Sequence, residues 1–98
     1  SPMDLLITYD VNTLTKEGRA RLRRVAKICQ GYGQRVQFSV FECSVNDAQH
    51  EILRSRLLKT IHRHEDSLRI YTLRGFRDQY IESHGRDSYI DFHDALIV

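Results

Sequence analysis

The chain has 98 residues, 41% hydrophobic and 29% charged, with 15 Lys and Arg against 13 Asp and Glu and a formal net charge of +2. That is ordinary for one folded domain of two packed layers, small enough that pairing with a second copy would help cover its core. No apolar run approaches the roughly 20 residues of a membrane-spanning helix and no secretory leader is visible, so neither insertion nor export is expected.

Ser1-Pro2 ahead of Met3 reads as a cleavage remnant, so the natural chain is expected to begin at Met3 and residues 3–98 to form a single domain. Cys29 and Cys43 are far apart, form no CxxC pair and sit among apolar residues, which favours buried free thiols in a reducing cytoplasm. The charge is uneven. Between Lys16 and Lys27 stand Lys16, Arg19, Arg21, Arg23, Arg24 and Lys27 against Glu17, whereas Glu82, Asp87, Asp91 and Asp94 make the far end acidic.

In chain order, Leu5 to Tyr9 reads as a short buried strand that ends at Asp10. Thr15 is placed to cap a helix running to about Gln30, with Leu22, Val25, Ala26 and Cys29 as its apolar stripe and Gly31-Tyr32-Gly33 as its stop. From Arg35 to Val45 the period is two, with Val36, Phe38 and Val40 set against Arg35, Gln37 and Ser39. The run is too long for one strand, so it is read as two strands joined near Phe38-Ser39. Asn46 and Gln49 have capping-box spacing and open a second helix with Ile52, Leu53, Leu57 and Ile61 as its apolar face, ending near His62 to His64. Ser67 to Leu73 alternates again, and Gly75 is expected to break it.

Strand, helix, strand, strand, helix, strand is the order of an α+β, ferredoxin-like βαββαβ domain, with both helices on one face of an antiparallel sheet. The other face then needs a partner, most simply a second copy in a two-fold symmetric homodimer. Residues 76–98, with Tyr89-Ile90-Asp91-Phe92 and Ala95-Leu96-Ile97-Val98, are expected to add a C-terminal strand at a sheet edge, that of the second subunit included.

Asp10 has two readings. It can be a turn carboxylate satisfied by backbone donors of the following loop, or, doubled by a two-fold axis, one of a pair holding magnesium or manganese, hard cations that take oxygen ligands and keep water. The basic face of the first helix, with Lys16, Arg19, Arg23, Arg24 and Lys27, can be an ordinary solvated surface. It lacks the interspersed acids of such surfaces, however, and unpaired arginines suit phosphates. Arg35 could hold a phosphate, Ser39 could orient a water, and Phe41 is read as core. No zinc-finger, HExxH or Walker spacing is present, and Gly31-x-Gly33 is too short to be a nucleotide fingerprint.

Tyr9-Asp10-Val11, the basic run from Arg19 ending Arg24-Val25-Ala26-Lys27, and the stretch from Gly33 to Cys43 resemble the CRISPR-associated protein two family of prokaryotic adaptive immunity. The closing Asp91 to Val98 is similar to the type I-C subgroup. The resemblance implies a homodimer whose paired Asp10 residues bind a divalent metal, usually Mg²⁺ with Mn²⁺ as a substitute, and support cleavage of double-stranded DNA or single-stranded RNA during spacer acquisition. It also implies that Tyr9, Arg24, Arg35 and Phe41 surround that site. A second role is implied as well: a non-catalytic scaffold bridging two dimers of the CRISPR spacer integrase, with arginines along the spacer DNA. Leu22 stands where some members carry another arginine, so that contribution would fall to Arg19, Arg21 or Arg23. A toxin-type nuclease on the same small fold is a third, weaker expectation.

Overall fold

The computed structural model describes residues 3–73 together with Glu82 and His84. The elements are β1 (Met3–Asp10), α1 (Lys16–Gln30), β2 (Gly33–Gln37), β3 (Val40–Val45), α2 (Asp47–Thr60) and β4 (Ser67–Leu73). The expected break at Gly75 and the C-terminal strand lie outside the described residues.

The helix starts follow from their caps. Thr15 Oγ1 accepts from the Gly18 amide at 3.0 Å, and the Asn46 and Gln49 side chains each accept from the other's backbone N–H, at 2.8 and 2.9 Å, so otherwise unpaired amides of both first turns are satisfied. Gly18 is buried, and a Cβ there would run into the Asn12 carbonyl oxygen, which explains a glycine in the first turn.

The strands form one antiparallel sheet in the order β2-β3-β1-β4, with β1 inside. Successive residues of a strand point to opposite faces. Leu5, Ile7 and Tyr9 of β1 and Phe41, Cys43 and Val45 of β3 join Val25, Ile28 and Cys29 of α1 and Leu53 and Leu57 of α2 in one core. The opposite face carries Leu6, Thr8 and Asp10, Val40, Glu42 and Ser44, and Ser67, Arg69, Tyr71 and Leu73, none of them buried. Its apolar residues are Leu6, its β4 neighbour Tyr71, and Val40 one row away beside Thr8, and no helix of the described residues covers them.

Three details differ from the sequence reading. Phe38 is 77% exposed at the turn, and the alternation of Val36, Phe38 and Val40 does not carry into β3, which buries Cys43, Val45 and, as read from the sequence, Phe41. An irregularity between Arg35 and Gln37 and the two-residue turn at Phe38 and Ser39 shift the alternation between the two strands. Ile52 is 53% exposed, because it lies one residue around α2 from the inward row Leu53, Leu57 and half-buried Ile61. On α1 the fully inward row is Val25, Ile28 and Cys29, with Leu22 and Ala26 at its margin. Both cysteines are buried free thiols.

Candidate functional site: a free carboxylate and a basic helix

Asp10 is the last residue of β1, opposite Ser67 of β4, and projects from the uncovered face. Its side chain is exposed and has no hydrogen bond or ion pair among the described residues. The turn-carboxylate reading required backbone donors, and another residue takes them. Asp66, directly before β4, has a fully buried carboxylate that accepts from the Asn12 amide at 3.0 Å, the His62 amide at 2.8 Å and Arg21 Nε at 2.9 Å. Arg21 Nη2 adds a fourth bond at 3.3 Å and lies 3.6 Å from Glu65. The loop that follows Asp10 is therefore fastened through Asn12, and neither oxygen of Asp10 has a partner among the described residues.

Burial alone would raise the Asp66 pKa. The Arg21 guanidinium and the two amides outweigh it, and the carboxyl is held below its ordinary 3.8. Sequence reasoning missed this clamp. Arg21 was counted with the basic run, and nothing in local spacing links it to an acid 45 residues away.

Tyr9 points to the other side of the sheet from Asp10. Its ring stacks on Phe41 with centroids 6.3 Å apart, and the Arg35 guanidinium lies 5.2 Å from the Phe41 centroid and 5.8 Å from that of Phe38. Burial, with the Cys29 thiol nearby, pushes the Tyr9 hydroxyl above its ordinary 10.0, and Arg35 pulls the other way. The hydroxyl is thus a proton donor at ordinary pH, and it is buried without a hydrogen-bond partner among the described residues. Ser39 sits in the β2–β3 turn, where its carbonyl accepts from the Tyr9 amide at 3.2 Å. The structure brings Tyr9, Arg35 and Phe41 together, with Ser39 joined through the backbone. Asp10 is beside them in sequence and on the opposite face of the sheet.

On α1, Lys16, Arg19, Arg23, Arg24 and Lys27 are all exposed. Arg19 Nη1 donates to the Thr13 carbonyl at 3.1 Å; none of the five has an ion pair among the described residues. Arg21 faces Asp66 and leaves this set. His62 and His64 are exposed surface residues, and among the described residues no three of His, Cys, Asp and Glu gather as a metal cluster. The end of β1 offers one carboxylate, that of Asp10, without a partner among the described residues, so a cation centre here fits only a hard ion bound by few protein oxygens and completed by water or a second copy.

Fold and site together define a ferredoxin-like α+β domain that presents an unpaired acid at the end of an inner strand and an arginine-rich helix on its other layer. The chain belongs to the CRISPR-associated Cas2 family: its residues 3–80 match the family model described as CRISPR associated protein Cas2. A protein of Moorella thermoacetica named CRISPR-associated endoribonuclease Cas2 1 is 54% identical over 96 residues, spanning 98% of this chain and all (100%) of that protein. One of Halalkalibacterium halodurans named CRISPR-associated endonuclease Cas2 is 50% identical over 95 residues, spanning 97% and 99%. The crystal structure of Streptococcus pyogenes Cas2 at pH 6.5 superposes with a TM-score of 0.75 at 51% identity, covering 85% of this chain and 100% of that one.

Proposed function

We propose that the protein is a homodimeric, cytoplasmic phosphodiester endonuclease of CRISPR spacer acquisition, in which Asp10 of two copies holds one Mg²⁺. The observation that carries this reading is the exposed, unpaired Asp10 at the end of an inner strand, on a face whose apolar residues Leu6, Tyr71 and Val40 have no cover among the described residues. A two-fold axis through that face near Asp10 doubles the carboxylate and covers those apolar residues in one step. The relatives named as endoribonuclease and endonuclease support the reaction class.

A bound hard cation lowers the pKa of a coordinated water and polarises a phosphate oxygen. The chain's own residues do the rest. Asp10 supplies negative oxygens to the cation, and Lys16, Arg19, Arg23, Arg24 and Lys27 neutralise phosphates of the strand. Arg35, restrained over two aromatic rings, holds its charge near Tyr9 on the other face of the sheet from Asp10.

The test is cleavage of labelled duplex DNA and single-stranded RNA by wild type and Asp10→Asn with Mg²⁺, Mn²⁺ or EDTA. Metal-dependent cleavage lost in the variant, with its oligomeric state intact, supports the reading; equal cleavage by both proteins refutes it.

The unpaired cations of α1 favour a second reading, a scaffold that grips duplex phosphates while another surface meets the spacer integrase. Absence of cleavage by either protein, together with salt-sensitive DNA binding that weakens in Arg19→Gln/Arg23→Gln, selects that role.

A further inference from the structure

The helices α1 and α2 pack side by side, and toward their C-terminal ends they border an open cleft of about 530 Å³ lined by Arg24, Lys27, Ile28, Arg56, Lys59 and Thr60. Each helix contributes the same device, two cations three residues apart: Arg24 with Lys27, and Arg56 with Lys59. Like charges at this spacing repel on an isolated helix, and here two such pairs share one cleft. No acid lies three or four residues from any of them, and none has an ion pair among the described residues. Arg21, on the same helix, shows the contrast, since its charge is met by Asp66 and Glu65.

The negative end of a helix dipole accounts for a cation in the last turn, where Lys27 and Lys59 stand. It does not account for Arg24, which lies more than a turn before the end of α1. Four converging, unneutralised cations are best satisfied by an extended polyanion. No Asn, Gln, Asp or Glu lines the cleft to read a base edge, and the Thr60 hydroxyl already donates to the Arg56 carbonyl at 2.8 Å. The chemistry on offer is charge and bidentate guanidinium contact, which suits phosphodiester groups without regard to sequence.

We infer that this cleft is a backbone-binding groove for nucleic acid, in which Arg56 and Lys59 of α2 extend the basic face of α1 across the helix pair. The inference rests on the nucleic-acid reading of α1 given above and adds the α2 half. The groove lies on the helix layer, and Asp10 projects from the other face of the sheet. A strand held here is thus held by the layer that does not carry the acid.

The experiment is fluorescence anisotropy of a labelled duplex DNA and a single-stranded RNA of unrelated sequences, titrated with full-length protein over a range of salt. The proteins are wild type, Arg56→Gln/Lys59→Gln, and a charge-matched control, Arg54→Gln/Arg63→Gln, whose two exposed cations lie outside the cleft. The cleft variant is expected to bind roughly tenfold more weakly on every sequence, with the slope of log affinity against log salt reduced by about 1.8 for duplex DNA, as loss of two phosphate contacts requires. The control should change affinity by less than about twofold. Equal weakening in both variants would reduce the effect to net charge and overturn the groove, as would a cleft variant that binds like wild type. Inorganic tripolyphosphate that binds wild type and not the cleft variant, with nucleic-acid binding unchanged, would reassign the cleft to a free anion. If wild type binds no nucleic acid, the reading of α1 falls together with this one; if wild type binds and the cleft variant binds equally well, the α2 half alone is wrong.

Discussion

Removing the Asp66 carboxylate should loosen the loop that follows Asp10 and cost a large share of the domain's stability. In Asp66→Ala the Asn12 and His62 amides lose their acceptors. Both residues have access to water, so each loss is worth about 1 kcal/mol. Arg21 has a side chain only 12% exposed and keeps only Glu65 at 3.6 Å. Breaking a buried pair costs about 3–5 kcal/mol, and the remaining contact with partial solvation reduces this to about 2. The sum is about 4 kcal/mol, which for a chain of this size lowers Tm by roughly 15–25 °C. Thermal and urea denaturation followed by circular dichroism would read it, and an Arg21→Met/Asp66→Asn double-mutant cycle would isolate the pair. A Tm loss under about 5 °C, or a coupling energy under about 0.5 kcal/mol, would refute the clamp as described. The pH dependence has a definite sign. Because the Asp66 pKa is lowered on folding from 3.8, the unfolded chain binds the proton more readily. The contribution is complete above that value and is lost as pH falls below it. Asp66→Asn should flatten this acid limb.

Gly18→Ala should destabilise the fold by about 1–2 kcal/mol despite alanine's better helix propensity, since the obstacle is the Asn12 backbone; a Tm equal to or above wild type would contradict the close approach. Burial pushes Cys29 up to about 12 and Cys43 to about 11. Neither thiol should react with a disulfide reagent at pH 8 until the protein unfolds, and rapid reaction of the native protein would show that one of them is accessible.

The elements were legible because local signals agree: the Thr15 and Asn46 caps, the spacing of Val25 and Cys29, and the alternation of Ser67 to Leu73 each fix an element without reference to distant contacts. Phe41 was legible as core, but the alternation of Val36, Phe38 and Val40 does not run through into β3, because the turn at Phe38 and Ser39 follows an irregularity in β2 that apolar alternation alone does not count. The position of Asp10 on the uncovered face follows from strand alternation once Leu5, Ile7 and Tyr9 are inside. Neither Asp66 nor the Arg56 and Lys59 pair was legible. Both gain their meaning from a neighbour on another element, Arg21 in one case and α1 in the other, and single-sequence periodicity does not carry such pairings.

The central claim is that two copies share one cation through Asp10. Titration of the full-length protein with Mn²⁺, followed by electron paramagnetic resonance of the free ion with sedimentation on the same samples, tests it most directly. The account predicts one Mn²⁺ per two chains, displaced by excess Mg²⁺ and lost in Asp10→Asn while the dimer persists. One ion per chain, or Mn²⁺ retained by Asp10→Asn, would contradict it.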